Sequence, residues 1–168
     1  MLPIVLKKHY ANRPYSHDVV QLDGTMDITL SPLTRLMKPL FKLFGTLVPY
    51  EGKNIPTTVY SKSDTHSDYY ILERHFHFPH QKPYVFRSVF VRLANNDILE
   101  VMKFGIGWRC TYRYDGSKVV LIHRGYYWRI SGILIPLPLT LLLGKGYAEE
   151  VALDDHHFRM RMVITHPL

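Results

Sequence analysis

Two histidines, His75 and His77, share one face of an alternating stretch, and His80 follows in a loop between Pro79 and Pro83. Imidazoles so spaced can be first ligands to a transition metal. The face they occupy is the polar one, however, and His-x-His arises by chance in a chain with ten histidines. No metal is expected there. Cys110 stands between aromatic neighbours at Trp108 and Tyr112, where a thiol behaves as a small hydrophobe and not as a nucleophile. Gly105 and Gly107 make a Gly-x-Gly, but within a strand pattern that implies bending or close packing and not a phosphate cradle. Three charged residues are more informative. Arg74, Glu100 and Arg124 each interrupt an otherwise apolar row of an extended segment. A buried charge is costly unless it is paired, so an inward Arg74–Glu100 pair is the economical expectation, serving either structure or the polar head of a bound amphiphile.

The elements that position these residues follow from periodicity. From Asp97 to Tyr114, Ile98, Met102, Phe104, Ile106, Trp108, Cys110, Tyr112 and Tyr114 recur at even positions, with Lys103, Arg109, Thr111 and Arg113 between them. Period two marks a half-buried strand. Asp115-Gly116 then turns the chain into a second strand, whose expected apolar face is Val120, Ile122, Tyr126, Trp128 and Ile130. Gly105, Gly107 and Gly125 are expected to bend this hairpin.

Upstream, Leu2 to Tyr10 fits a short helix, and Val19 to Leu30 an extended segment with a turn or bulge at Asp23-Gly24. Ser31-Pro32 is a good helix start. The helix it opens should run to Gly45, with Leu33, Leu36, Met37, Leu40, Phe41, Phe44 and Leu47 as an apolar stripe and a bend at Pro39. Ile55 to Lys62, Tyr69 to Phe78 and Tyr84 to Leu93 read as strands. Ile133 to Leu143 is the most apolar run, yet it holds Pro136 and Pro138 and is far short of the roughly 20 residues that span a bilayer. It reads as a buried crossover or as a flap over a cavity. A last strand pair is expected around Asp154-Asp155.

Composition bounds the rest. With 168 residues, 46% of them hydrophobic and 21% charged, the chain can bury a core and is expected to form one domain over 1–168. The net charge of +7 attracts polyanions. On the hairpin, though, basic and aromatic residues fall on opposite faces, unlike the mixed surface of a single-strand binder, so nucleic acid is not expected as a partner. A basic amphipathic helix at Ser31 to Gly45 can instead lie on a membrane surface, which keeps peripheral membrane contact among the expectations. The lone Cys110 and the absence of a secretory leader at Met1-Leu2-Pro3 point to the cytoplasm.

Several scattered landmarks resemble an uncharacterised bacterial family of domains of unknown function, family 4166, found alone or behind saccharopine-dehydrogenase-like Rossmann proteins. They are Gly24 with Met26, Arg74-x-Phe76 with Ser88, Glu100 with Gly105, Pro136 and Pro138, Glu149 or Glu150, and the closing His166-Pro167. The family pattern has a tryptophan where this chain has Leu72, and it continues past the His-Pro into a further strand that this chain lacks. The resemblance implies a reductase association and no established activity.

The expected fold is α+β: a strongly curved, half-barrel-like antiparallel sheet of about seven to nine strands around one main helix, with a short N-terminal helix. The leading expectation for function is a non-catalytic binding domain for a hydrophobic or amphipathic small molecule, with no cofactor, lined by Arg74, Glu100, Arg124, Trp108, Tyr112 and Trp128. An accessory domain docking a Rossmann-type reductase through Ile133 to Leu143 is the alternative. An enzyme using Arg74 and Glu100 comes third.

Overall fold

The computed structural model describes residues 1–45 and 47–165, the Phe44 side chain excepted; the closing His166-Pro167 lies outside the described residues. In chain order the elements are α1 (Ile4–His9), β1 (Val19–Ile28), α2 (Pro32–Leu36), α3 (Lys38–Phe44), β2 (Gly52–Ser63), β3 (Tyr70–Phe76), β4 (Tyr84–Arg92), β5 (Asp97–Val101), β6 (Ile106–Tyr114), β7 (Lys118–Ile130), β8 (Ile133–Leu137), α4 (Leu139–Leu143), β9 (Lys145–Ala152) and β10 (Phe158–Thr165). The protein is mostly β, with few and short helices. By its internal contacts the chain divides into two compact units, each described by itself below.

One unit comprises Asn12–Val89 with Met102–Phe104. Its β1, β2 and β3 pair antiparallel in that order. One face carries the core of Ile55, Phe76 and Phe78, packed by Met26, Ile28, Tyr50, Tyr84 and Phe86. The opposite face is polar, with Glu73 2.5 Å from Lys62 and 3.5 Å from Arg87. Asp23-Gly24 makes no turn here. Both residues stay in the β1 ladder opposite Thr58 and Thr57, because the Asp23 carboxylate accepts from Gln21 and Thr58 and so is satisfied within an extended strand.

The single helix expected from Ser31 to Gly45 is two pieces of five and seven residues. Ser31 does cap the first, accepting from the Thr34 N–H at 3.2 Å. Pro39 cannot donate to the preceding turn, and the helix breaks at Met37, just where a proline forbids continuation. Little of the apolar stripe is buried. Phe41 is, whereas Leu36 and Leu40 are 80% and 47% exposed, so these pieces are not the sheet's main cover.

The other unit holds Met1–Ala11, Phe90–Val101 and Gly105–Leu168. Within it β5–β6, β6–β7, β7–β8, β7–β9 and β9–β10 all pair antiparallel. Its core is Val5 and Leu6 of α1 against Trp108, Cys110, Val119, Leu121, Tyr126 and Ala148. The expected strand from Asp97 to Tyr114 is interrupted. Phe104 and Gly105 take φ of 59° and 80°, and β5 and β6 fold back on one another as a hairpin of their own. At Gly105 any side chain would run into the Arg129 carbonyl, so only glycine fits this reversal.

A second irregularity re-phases the organising hairpin. Arg109 pairs with Gly125 but Cys110 with His123, which leaves Arg124 as the extra residue of a β-bulge beside Gly125 at φ 117°. Before the bulge the core residues of β7 are Val119 and Leu121, partners of Tyr114 and Tyr112; after it the core residue is Tyr126. The continuous even face expected from Val120 to Ile130 is therefore two half-faces joined out of phase. Arg124, placed on the inward row by that phase, is exposed.

Candidate functional site

The β7–β8 hairpin turns at Ser131 and Gly132, both with positive φ (47° and 87°), the geometry that suits the twist of a two-residue hairpin. Cross-strand partners share a face, so Tyr126 with Leu137, Trp128 with Ile135 and Ile130 with Ile133 form one row. Its base belongs to the core: Tyr126 is 6% exposed and Leu137 packs against the buried cluster. Its outer two pairs do not. Trp128, Ile135, Ile130 and Ile133 are all exposed, Ile133 to 67%. An apolar row thus leaves the core and continues onto the surface. The run from Ile133 to Leu143, expected as a buried crossover or a flap, is thus β8 followed by α4, with Leu139 and Leu143 turned to the core and Leu141 and Leu142 to the outside.

Polar contacts hold α4 down. The Trp108 indole Nε1–H donates to His123 Nδ1 at 2.8 Å, and His123 Nε2 lies 3.0 Å from the Thr140 hydroxyl. Tyr126 donates to the Gly144 carbonyl at 3.3 Å, and burial pushes its phenol up to about 12. Burial, and then the nearby Lys145, hold His123 below its ordinary value.

A second polar cluster lies under α1. Tyr10 donates a short hydrogen bond to the Glu150 carboxylate, whose other oxygen is 3.5 Å from His9 Nε2. Glu150 is 6% exposed. Tyr10 is partly at the surface, but its phenol end is turned inward; burial there, and next the Glu150 charge, raise it well above the tyrosine range. His9 stacks on Phe158 at 5.1 Å, and its Nδ1 is buried without a hydrogen-bond partner among the described residues.

Of the two residues expected to pair, Arg74 lies in the unit with β1 to β3 and Glu100 in the unit with α1. Arg74 donates to Ser88 Oγ at 3.1 Å, with its guanidinium 5.3 Å from the Phe86 ring centroid. Glu100 is buried and faces Trp108 across β5 and β6. Arg124 donates from Nε to Thr111 Oγ1 at 2.7 Å, and Thr111 in turn donates to Asp97, which Arg109 binds at 2.5 Å. Trp108 is core, packed over Gly146. Tyr112 is held inward as well, its phenol pushed well up by burial. Trp128 alone of the expected aromatic lining reaches the surface row. His77 is exposed beyond the end of β3, whereas His75, on the polar face of β2 and β3, is half-buried with its ring against that of Tyr60. Cys110 is buried, which pushes its thiol up. No group of three or more His, Cys, Asp or Glu side chains converges among the described residues. No helix among them is long and apolar enough to cross a membrane.

A family model described as Domain of unknown function (DUF4166) matches residues 2–168. The chain belongs to this family. No curated protein and no solved structure matches it. Of the landmarks that carried the resemblance to DUF4166, Ser88, Glu100 and Glu150 are buried, and Gly105 makes the reversal between β5 and β6. Between the two adjacent acids, Glu150 is the inward one; Glu149 faces out to Lys118 at 2.7 Å. The sequence carried no signal for the His123 contacts, since His123 is placed inward only by the bulge one residue later.

Proposed function

We propose that this domain binds the hydrocarbon part of an amphiphilic small molecule, without catalysis, along the row Trp128, Ile135, Ile130 and Ile133. The observation that carries this reading is the continuity of that row with the core, Tyr126 and Leu137 buried at its base and four large apolar side chains exposed beyond them. Isolated exposed hydrophobes are ordinary, but a contiguous set on one face is a binding surface. A chain occupying the row would bury apolar area on both partners, at about 25 cal/mol per Å². The net charge of +7 favours an anionic head group.

Native mass spectrometry of protein purified without detergent tests this. A lipid-sized adduct is expected on the wild type and should be missing from the double variant Ile133→Asp, Ile135→Asp. Both positions are exposed, so unfolding stability should change by no more than about 0.5 kcal/mol each. Bare wild-type protein, or an adduct that survives the double change, would overturn the reading.

A further inference from the structure

On the reading that an amphiphile lies along the β7–β8 row, we propose that His123 is a proton-operated latch: neutral, it holds α4 against the core; protonated, it lets α4 go and lengthens the apolar row inward.

The two contacts of the imidazole dictate its tautomer. An indole N–H can only donate, so the Nδ1 that receives it from Trp108 must be bare, and the ring proton sits on Nε2, donated to Thr140. A second proton has nowhere to go but Nδ1. There it would meet the Trp108 N–H head-on, two donors with no acceptor between them, and both contacts are made by one ring, so turning away from Trp108 also abandons Thr140. The groups facing the ring offer the cation nothing. They are Trp108 and Cys110 on β6, Tyr126 on β7 with its ring 5.0 Å away, Thr140 on α4 and Lys145 at the start of β9, none of them a carboxylate. What else holds α4 is indifferent to acid: Leu139 and Leu143 on the core, and the neutral Tyr126 phenol on the Gly144 carbonyl. Freed, α4 uncovers the side of Tyr126 and Trp108 that continues the exposed row.

The sign is fixed by direction. The closed-state value lies below the roughly 6.5 of a free imidazole. The latch therefore contributes fully above about pH 6.5 and is lost as pH falls through the lowered value.

Hydrogen exchange of residues 139–144 in the full chain, corrected for the intrinsic chemical rate, tests the latch at about pH 7.5 and about pH 5. In the wild type, α4 protection should fall about tenfold in acid while β6 stays protected. His123→Gln should abolish that response, because its amide oxygen can accept from Trp108 and its amide nitrogen can donate to Thr140, with nothing to titrate. An unchanged wild-type α4, or a His123→Gln protein that loosens in acid as the wild type does, overturns the latch. Should His123→Gln fail to fold, Thr140→Val serves instead: α4 is expected already loose at the higher pH with no further response, and full protection with a full response overturns the proposal. The exchange is read without amphiphile. A His123-dependent acid response in a protein whose Ile133 and Ile135 carry no adduct therefore supports the latch and removes only the binding reading.

Discussion

Trp108→Ala should destabilise the protein by about 3–5 kcal/mol in urea unfolding followed by far-ultraviolet circular dichroism. The indole is 5% exposed and belongs to the core beneath α1. It pairs with Glu100 on one side and Tyr126 on the other, and lies over Gly146, where even a Cβ would come within 3.0 Å of the ring. No neighbour can close such a hole without moving strands. Trp108→Phe separates packing from polarity: most of the ring is restored, but His123 loses its donor, and an unmade buried hydrogen bond costs about 1–3 kcal/mol. A loss below about 1 kcal/mol for the alanine change would contradict the core described above.

Glu150→Ala comes next, with an expected cost of about 1–3 kcal/mol for the stranded Tyr10 hydroxyl, before any loss of packing. The carboxylate sits on β9 opposite Met160 of β10 and Val119 of β7, and it ties α1 to the sheet through Tyr10 and His9. If that tie is what matters, Tyr10→Phe in the Glu150→Ala background should cost little more than Glu150→Ala alone, because the orphaned donor goes with it. A double-mutant cycle would then show coupling of about 0.5–3 kcal/mol. Strict additivity would mean that Glu150 stabilises the unit in some other way.

Much of the sheet was legible in the sequence because period two is directly visible. The turn at Asp115-Gly116 was found with its reason, since Asp115 accepts from the Ser117 and Lys118 amides. The last pair was equally plain, with Asp154 capping the turn between β9 and β10. A bend at Gly125 was expected, but the change of phase it brings was hidden by a degeneracy: Val119, Val120, Leu121 and Ile122 are all apolar, so either phase of the first half of β7 looks like a core face. That one-residue shift carried Arg124 outward and His123 inward, and with them the polar part of the site. The reversal at Phe104 and Gly105 was masked the same way, by alternation that runs straight through it. The helix from Ser31 failed for a different reason. Its apolar stripe has the right spacing, but Pro39 breaks it, and a stripe alone does not say whether anything packs on it. The surface row was half legible: Ile133 to Leu143 stood out as the most apolar run, and the two prolines ruled out a span. That its outer residues stay exposed in line with Trp128 follows only from the β7–β8 register.

Tryptophan fluorescence offers the most direct test of the amphiphile row, because of the two tryptophans one is core and the other lies on the row. A fatty acid carrying a nitroxide on its chain, added below its micellar concentration, should quench the exposed component of wild-type emission and leave that of Trp108 untouched. Trp128→Phe should remove the quenched component and Ile133→Asp should weaken it. Wild-type emission that is indifferent to the labelled fatty acid, or quenching that persists in full after Trp128→Phe, would contradict the account.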